Sequence, residues 1–112
     1  MSDAFVWFHN SSSKPTESTA FYENLLGWKT TGGPEGMTMF ASEKGPFASL
    51  RPTDDGTTAW LPYAQVDDVD AATARAVALG AAGVAPKTRG PAGEFVVVRD
   101  PGGAAIALWQ KG

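Results

Sequence analysis

The chain has 112 residues, a net charge of −3 and no cysteine, and 43% of its residues are hydrophobic, including four Trp and six Phe. This length and composition suit one globular domain with a packed core. The acidic balance and the scattered Lys and Arg argue against nucleic-acid binding. The lack of cysteine excludes disulfides, thiolate metal sites and cysteine nucleophiles. No apolar run approaches the roughly 20 residues that cross a membrane, and the N-terminus lacks a signal-peptide pattern, so we expect a cytoplasmic protein.

Glycines and prolines divide the chain into short predicted elements. Pro15 suits the first position of a helix, and Gly27 and Gly80 suit the ends of two helices. Apolar and aromatic runs between turn residues predict strands. The residues before the first helix (11–14) and residues 88–93 read as turn and loop, and 52–58 as a linker. The predicted elements are strand 5–10, helix 15–26, strands 28–31, 37–41, 47–50 and 60–66, helix 70–79, and strands 83–87, 95–99 and 104–109.

The order βαβββ therefore occurs twice, in repeat units of about 4–52 and 58–111 within one domain, 1–112. Aligning Gly45 with Gly103 sets Ser49 against Ala107 and Arg51 against Trp109. Two such units can join their sheets into one half-open curved sheet, whose concave face is a pocket. The predicted fold class is α+β, with two tandem βαβββ units.

Three motifs resemble the vicinal-oxygen-chelate superfamily, which contains glyoxalases, bleomycin-resistance proteins and dioxygenases. They are Ala20-Phe21-Tyr22 followed by Leu26-Gly27-Trp28, Val66-Asp67-Asp68-Val69-Asp70, and Asp100-Pro101-Gly102-Gly103. A narrower likeness to a bacterial glyoxalase-like subgroup rests on Val6-Trp7-Phe8, Trp60-x-x-Tyr63 and Leu108-Trp109-Gln110. The resemblance implies the glyoxalase/bleomycin-resistance fold and a homodimer, either side by side or swapped.

Metal-dependent members of this superfamily hold one divalent ion with His, Gln or Glu from the first and last strands of each unit. The resemblance places these ligand positions on Trp7, Ser49, Leu61 and Ala107. Three of the four have no donor atom for a metal, and a serine hydroxyl is a poor ligand. Shifting each strand by one residue brings no better donor. We therefore expect no metal and no cofactor. An extradiol dioxygenase needs two His and a carboxylate for its iron, and the chain has one His.

Strand alternation puts Trp7 and His9 on one face. His9 is then either an acid–base group near neutral pH or a hydrogen-bonded surface histidine. Tyr63 and Gln65 share the face of Leu61, where they either orient a ligand or line the barrel.

Arg51 and Trp109 are expected on the same concave face. Arg51 either holds an anionic ligand group or ends a strand in solvent. Trp7, Tyr63 and Trp109, with Met39, form either an aromatic pocket for a planar ligand or a core. The acidic run Asp67, Asp68 and Asp70 is interpreted as a helix cap with first-turn charges.

Three functional hypotheses follow, in this order. The first is a metal-free protein that binds or sequesters an aromatic or anionic small molecule, as in bleomycin resistance. The second is a metal-free lyase or isomerase with His9 or Tyr63 in acid–base roles. The third is a metal-dependent enzyme with ligands elsewhere. The predicted ligand-binding residues are Trp7, Met39, Ser49, Arg51, Leu61, Gln65, Ala107 and Trp109.

Overall fold

The computed structural model describes residues 5–33, 36–54, 58–90 and 92–112. Mixed helices and strands confirm the predicted α+β class. The chain divides into two compact units, a first unit of Trp7–Trp60 and a second unit of Leu61–Gly112 with Phe5 and Val6. The elements are β1 (Phe5–Ser12), α1 (Pro15–Leu26), β2 (Lys29–Gly32), β3 (Thr38–Ser42), β4 (Gly45–Pro52), β5 (Ala59–Gln65), α2 (Val69–Ala78), β6 (Gly83–Val84), β7 (Thr88–Gly90), β8 (Gly93–Arg99) and β9 (Ala105–Lys111).

The first unit is a sheet in the order β2-β3-β4-β1 with α1 packed on one face. Its neighbouring strands are antiparallel except β4 and β1, which run parallel. The face toward α1 buries Phe40, Ala48 and Leu50, each at most 1% exposed. Because side chains alternate along a strand, Ser49, which lies between Ala48 and Leu50 in β4, points away from α1.

An aromatic cluster joins α1 to this sheet. The Tyr22 ring stacks on Trp28 at 5.3 Å, and both rings meet Phe40 edge-on. The Trp60 indole donates a hydrogen bond to the Tyr22 hydroxyl at 3.0 Å. Trp60 therefore belongs to the packing around α1. Phe21, the neighbour of Tyr22, remains 57% exposed.

The second unit is a sheet in the order β5-β9-β8-β6, with β7 also paired to β8. Strands β5 and β9 run parallel, and the other pairs are antiparallel. Its core is Val69, Val96 and Val98, with Ile106 and Leu108 packed against them. Val69 is the first residue of α2, and Val96 and Val98 lie on the face of the sheet toward that helix.

The N-terminus of α2 is capped from two directions. The Asp68 carboxylate accepts from the N–H groups of Asp70 and Ala71, both at 3.0 Å. The Gln110 side-chain oxygen accepts from the N–H of Val69 at 2.8 Å. Three N–H groups that a helix leaves without intrahelical partners are thus satisfied. The predicted capping role is confirmed for Asp68.

Three local predictions were wrong. The predicted turn at 11–14 begins late, because Ser11 and Ser12 continue β1 by pairing with Arg51 and Pro52. The predicted strand at 83–87 is only two residues long. The predicted loop at 88–93 contains β7, which pairs antiparallel with β8. Pro91, residues 1–4, and residues 55–57 of the predicted linker lie outside the described residues.

In the described part of the chain, no helix combines the length and the apolar character that crossing a bilayer requires.

Candidate functional site

Ser49 is the centre of a hydrogen-bonded cluster on the face of the first unit that points away from α1. Trp7 and His9 share this face, as predicted, and His9 lies directly opposite Ser49 in the β1–β4 pairing. The Trp7 indole N–H donates to Ser49 Oγ at 3.0 Å, and His9 Nδ1 lies 2.7 Å from the same oxygen. Ser49 is only 2% exposed. Two rings therefore cover the hydroxyl and are held in place by it.

Ser49 engages one ring nitrogen of His9. An indole nitrogen only donates, so Trp7 occupies one lone pair of Ser49 Oγ, and the hydroxyl keeps one proton and one lone pair for His9 Nδ1, 2.7 Å away. The nitrogen of His9 that is left for a ligand is therefore Nε2.

His9 is also held in its neutral form. Burial lowers the pKa of His9 below 6.5, and the positive charge of Arg51 lowers this pKa further. Both effects disfavour the imidazolium, because it is poorly solvated and lies beside a like charge. At neutral pH the site therefore presents an uncharged imidazole.

We expect folding stability to fall as the pH drops below 6.5. In the unfolded chain the pKa of His9 returns to 6.5, so between that value and the lower folded pKa the unfolded state binds more protons. The stabilising effect of neutral His9 is complete above pH 6.5 and is lost as the pH falls toward the folded pKa. Because His9 is the only histidine, its ring protons in an NMR titration report this pKa directly.

A His9→Gln variant is the matched control, because glutamine keeps a polar side chain beside Ser49 but does not titrate. The difference in unfolding free energy between wild type and variant, measured by urea denaturation on both sides of pH 6.5, isolates the histidine contribution. An NMR pKa at or above 6.5 would contradict the burial of the ring.

Two further predicted residues share the face of Ser49. Met39 lies opposite Ser49 across the β3–β4 pairing. Arg51 follows two residues along β4, opposite Ser11 of β1, and is half-buried. The first unit thus brings Trp7, Met39, Ser49 and Arg51 together with His9. Their ligand-binding roles remain a prediction.

The second unit carries an aromatic surface on the face away from α2. Tyr63 lies opposite Ala107, and Gln65 lies opposite Trp109. Leu61 has the same orientation as Tyr63, two residues earlier in β5. Ala107 is fully buried, so it contributes close packing and no polar atom.

Phe95 belongs to the same surface and was missed in the sequence. It lies opposite Trp109 in the β8–β9 pairing, and its ring is 5.4 Å from that of Tyr63 at a tilt of 50°. The turn between β8 and β9 could have placed Phe95, because its position fixes the register of the hairpin. The turn is closed by a hydrogen bond from the Asp100 N–H to the Ala104 carbonyl. Counting back equally from that turn pairs Phe95 with Trp109.

The model of the glyoxalase-like domain family matches residues 7–109, which include nearly all of both units. The chain belongs to the glyoxalase-like domain family. The expected membership of the vicinal-oxygen-chelate superfamily is thereby confirmed. Among curated relatives, the anthracycline biosynthesis protein DnrV of Streptomyces peucetius is 32% identical over 128 aligned positions. That alignment covers 96% of this chain and 46% of DnrV, so the glyoxalase-like domain spans about half the length of the curated relatives it matches.

Solved structures confirm the fold of the glyoxalase-like domain. A variant of homoprotocatechuate 2,3-dioxygenase from B. fuscum aligns with a TM-score of 0.74 at 16% identity, over 98% of this chain and 33% of that one. The Mn(II)-bound glyoxalase from Novosphingobium aromaticivorans aligns with a TM-score of 0.67 at 19% identity, over 98% and 40% of the two chains. At these identities the likeness concerns the fold alone.

The side chains at the family's metal positions do not fit a divalent ion. Leu61 and Ala107 have no donor atom, and the Trp7 nitrogen is a hydrogen-bond donor only. The remaining candidate, Ser49 Oγ, is buried and already shared by two rings. Taking His9 and Tyr63, each two residues further along its strand, in place of Trp7 and Leu61 offers one imidazole and one phenol but no carboxylate. The described residues also contain no cluster of three or more His, Cys, Asp or Glu that could hold a metal.

Proposed function

We propose that this glyoxalase-like domain binds a planar aromatic small molecule without a metal ion. The observation that supports this proposal is the hydrogen bonding of Ser49. At a position where the family resemblance expects a metal ligand, its hydroxyl instead fixes Trp7 and His9. Rings that are held before binding lose little conformational freedom when a ligand arrives, which favours affinity. In this role His9 Nε2 hydrogen-bonds to a carbonyl or hydroxyl group of the ligand.

Aromatic composition supports the planar ligand. Trp7, held by Ser49 in the first unit, offers a flat ring, and flat rings stack on planar molecules in offset or edge-on geometry. The name of DnrV assigns that relative to anthracycline biosynthesis, and anthracyclines are polycyclic aromatic compounds. Arg51 suits a phenolate or carboxylate substituent of such a ligand.

A metal-free lyase or isomerase is the second candidate, with His9 or Tyr63 as the acid–base group. The lowered pKa of His9 favours it, because a general base must be neutral at the working pH. However, His9 Nδ1 is engaged by Ser49 Oγ at 2.7 Å, so Nε2 alone would have to act on a substrate. Serine nucleophilic attack is disfavoured as well, since Ser49 is 2% exposed. Binding therefore ranks first.

The test is a calorimetric titration of EDTA-treated protein with alizarin, a dihydroxyanthraquinone. We expect protein that has not been treated with EDTA to give the same dissociation constant. A Trp7→Ala variant should bind about tenfold more weakly, which corresponds to about 1.4 kcal/mol of lost ring contact. Phe21→Ala is the matched aromatic control, because Phe21 lies exposed on α1 and its variant should bind like wild type.

Two outcomes separate the hypotheses. Affinity that is lost on EDTA treatment, or a stoichiometric divalent ion in the purified protein, would reject metal-free binding. Turnover of the bound compound that disappears in His9→Gln while affinity is kept would favour the enzyme over the binding protein.

A further inference from the structure

The first unit contains a cavity of about 370 Å³ where β1 ends and α1 begins. Its lining is mostly serine and threonine hydroxyls, with Asn10, Lys14 and Trp60. None of the ligand-binding residues assigned above lines it. A volume near 370 Å³ falls at the lower end of small-molecule pockets.

Asn10 is the feature that points to a ligand. The residue is only 8% exposed and lines the cavity. No hydrogen bond joins its side-chain amide to another described residue, and the amide atoms are not fully enclosed by the described part of the protein. A polar group that borders a cavity without a protein partner can bind a group that enters it. A carboxamide in this position is therefore suited to bind a group that enters the cavity.

The charge of the cavity favours an anion. Its lining includes one cation, Lys14, and no carboxylate among the described residues; Glu17, in the same helical turn, is not part of it. The N-terminus of α1 has no side-chain cap, and Pro15 stands at its first position. The first N–H groups of a helix lack intrahelical partners, and the helix dipole favours negative charge at this end.

Some hydroxyl groups of the cavity bond within the protein, and others are exposed at its rim. Ser12 Oγ accepts from the Lys14 N–H at 3.0 Å and lies 2.7 Å from Ser18 Oγ, so it holds the strand end against the helix. Ser13 and Thr58 are exposed at the rim of the cavity. Donors thus come from the end of a strand, the start of a helix and the segment leading to β5. Donors that approach from three segments suit a tetrahedral anion better than a flat carboxylate.

We infer that this cavity binds the phosphate group of a small organic phosphate. The Asn10 amide, the Lys14 ammonium and the first turn of α1 donate to the phosphate oxygens, and Trp60 contacts the organic part. This site is independent of the metal-free aromatic site proposed above.

The experiment is an NMR titration of the ¹⁵N-labelled protein with inorganic phosphate and with phenyl phosphate, with acetate as the flat anion. Phosphate should shift the Asn10 side-chain amide and the backbone amides of Thr16 and Glu17, and phenyl phosphate should bind more tightly. Asn10→Leu should weaken phosphate binding at least tenfold and raise the melting temperature, because leucine keeps the branched shape at this largely buried position but replaces the amide with apolar groups. Lys14→Met should weaken binding without this gain in stability.

Lys44→Met is the matched charge control, because Lys44 is exposed in the turn between β3 and β4. It removes the same charge and should leave phosphate binding intact. The inference is overturned if phosphate shifts none of these signals, if acetate binds equally well, if Lys44→Met weakens binding as much as Lys14→Met, or if Asn10→Leu lowers the melting temperature. Alizarin affinity should be unchanged in Asn10→Leu, so failure of one site is distinguishable from failure of the other.

Discussion

Replacing Gly93 with alanine is expected to destabilise the protein by at least about 3 kcal/mol. Gly93 begins β8 with φ of +151°, a conformation that L side chains rarely adopt. A Cβ there would lie 2.1 Å from the Gln110 carbonyl oxygen and 2.8 Å from the Gly112 nitrogen. Both are backbone atoms in or just after the neighbouring strand β9. It would also lie 2.9 Å from Trp109 Nε1, so that indole would have to shift. Urea denaturation measures the loss of stability.

Gly103→Ala is the matched control for that clash. Gly103 also has a positive φ, +99°, but a Cβ added to it would have no atom within 4 Å beyond its chain neighbours. Its substitution should therefore cost about 1–2 kcal/mol, the strain of the backbone alone. If both variants lose the same stability, the close approach of the β9 backbone to Gly93 is not the cause.

Phe40→Ala is expected to cost about 3–5 kcal/mol, a large part of the roughly 5–15 kcal/mol that stabilises a domain. Phe40 is fully buried, and its ring lies 5.9 Å from Tyr22 and 5.4 Å from Trp28. Truncation opens a cavity between the sheet and α1, which rigid aromatic rings fill poorly. A thermal melt should show a drop on the order of 15 °C.

The exposed Phe21 provides the comparison, since Phe21→Ala removes the same ring from a residue that is 57% exposed. We expect a loss below about 1 kcal/mol. Equal losses from the two variants would mean that the aromatic cluster, and not burial beneath α1, determines the stability of the first unit.

The repeat and the faces of its strands were predictable because turns and alternation are local. The alignment of Ser49 with Ala107 holds in the structure, since Ser49 pairs with His9 and Ala107 pairs with Tyr63 at equivalent places in the two units. The fold class followed from the same pattern. Hairpin registers follow from turn positions, which is also why Phe95 could have been found.

The Ser49 cluster was not predictable, because it depends on the parallel pairing of β1 with β4. Trp7 and Ser49 are 42 residues apart, and a parallel pair has no tight turn to fix its register. Sequence reasoning assigned Ser49 as a poor metal ligand and His9 as either an acid–base group or a hydrogen-bonded surface histidine, without naming Ser49 as its partner. Their shared hydrogen bond was therefore invisible. The burial of Asn10 was missed for a related reason, since an amide among strand residues indicates nothing about what covers it.

The closed hydroxyl of Ser49 has an evolutionary consequence. A carboxylate introduced there by one substitution would place a charge at a 2% exposed position and displace two rings, so the intermediate would be unstable before it gained an ion. Ala107 imposes the same barrier in the other unit, since it is fully buried. Gaining a metal site here by single substitutions would therefore pass through destabilised intermediates.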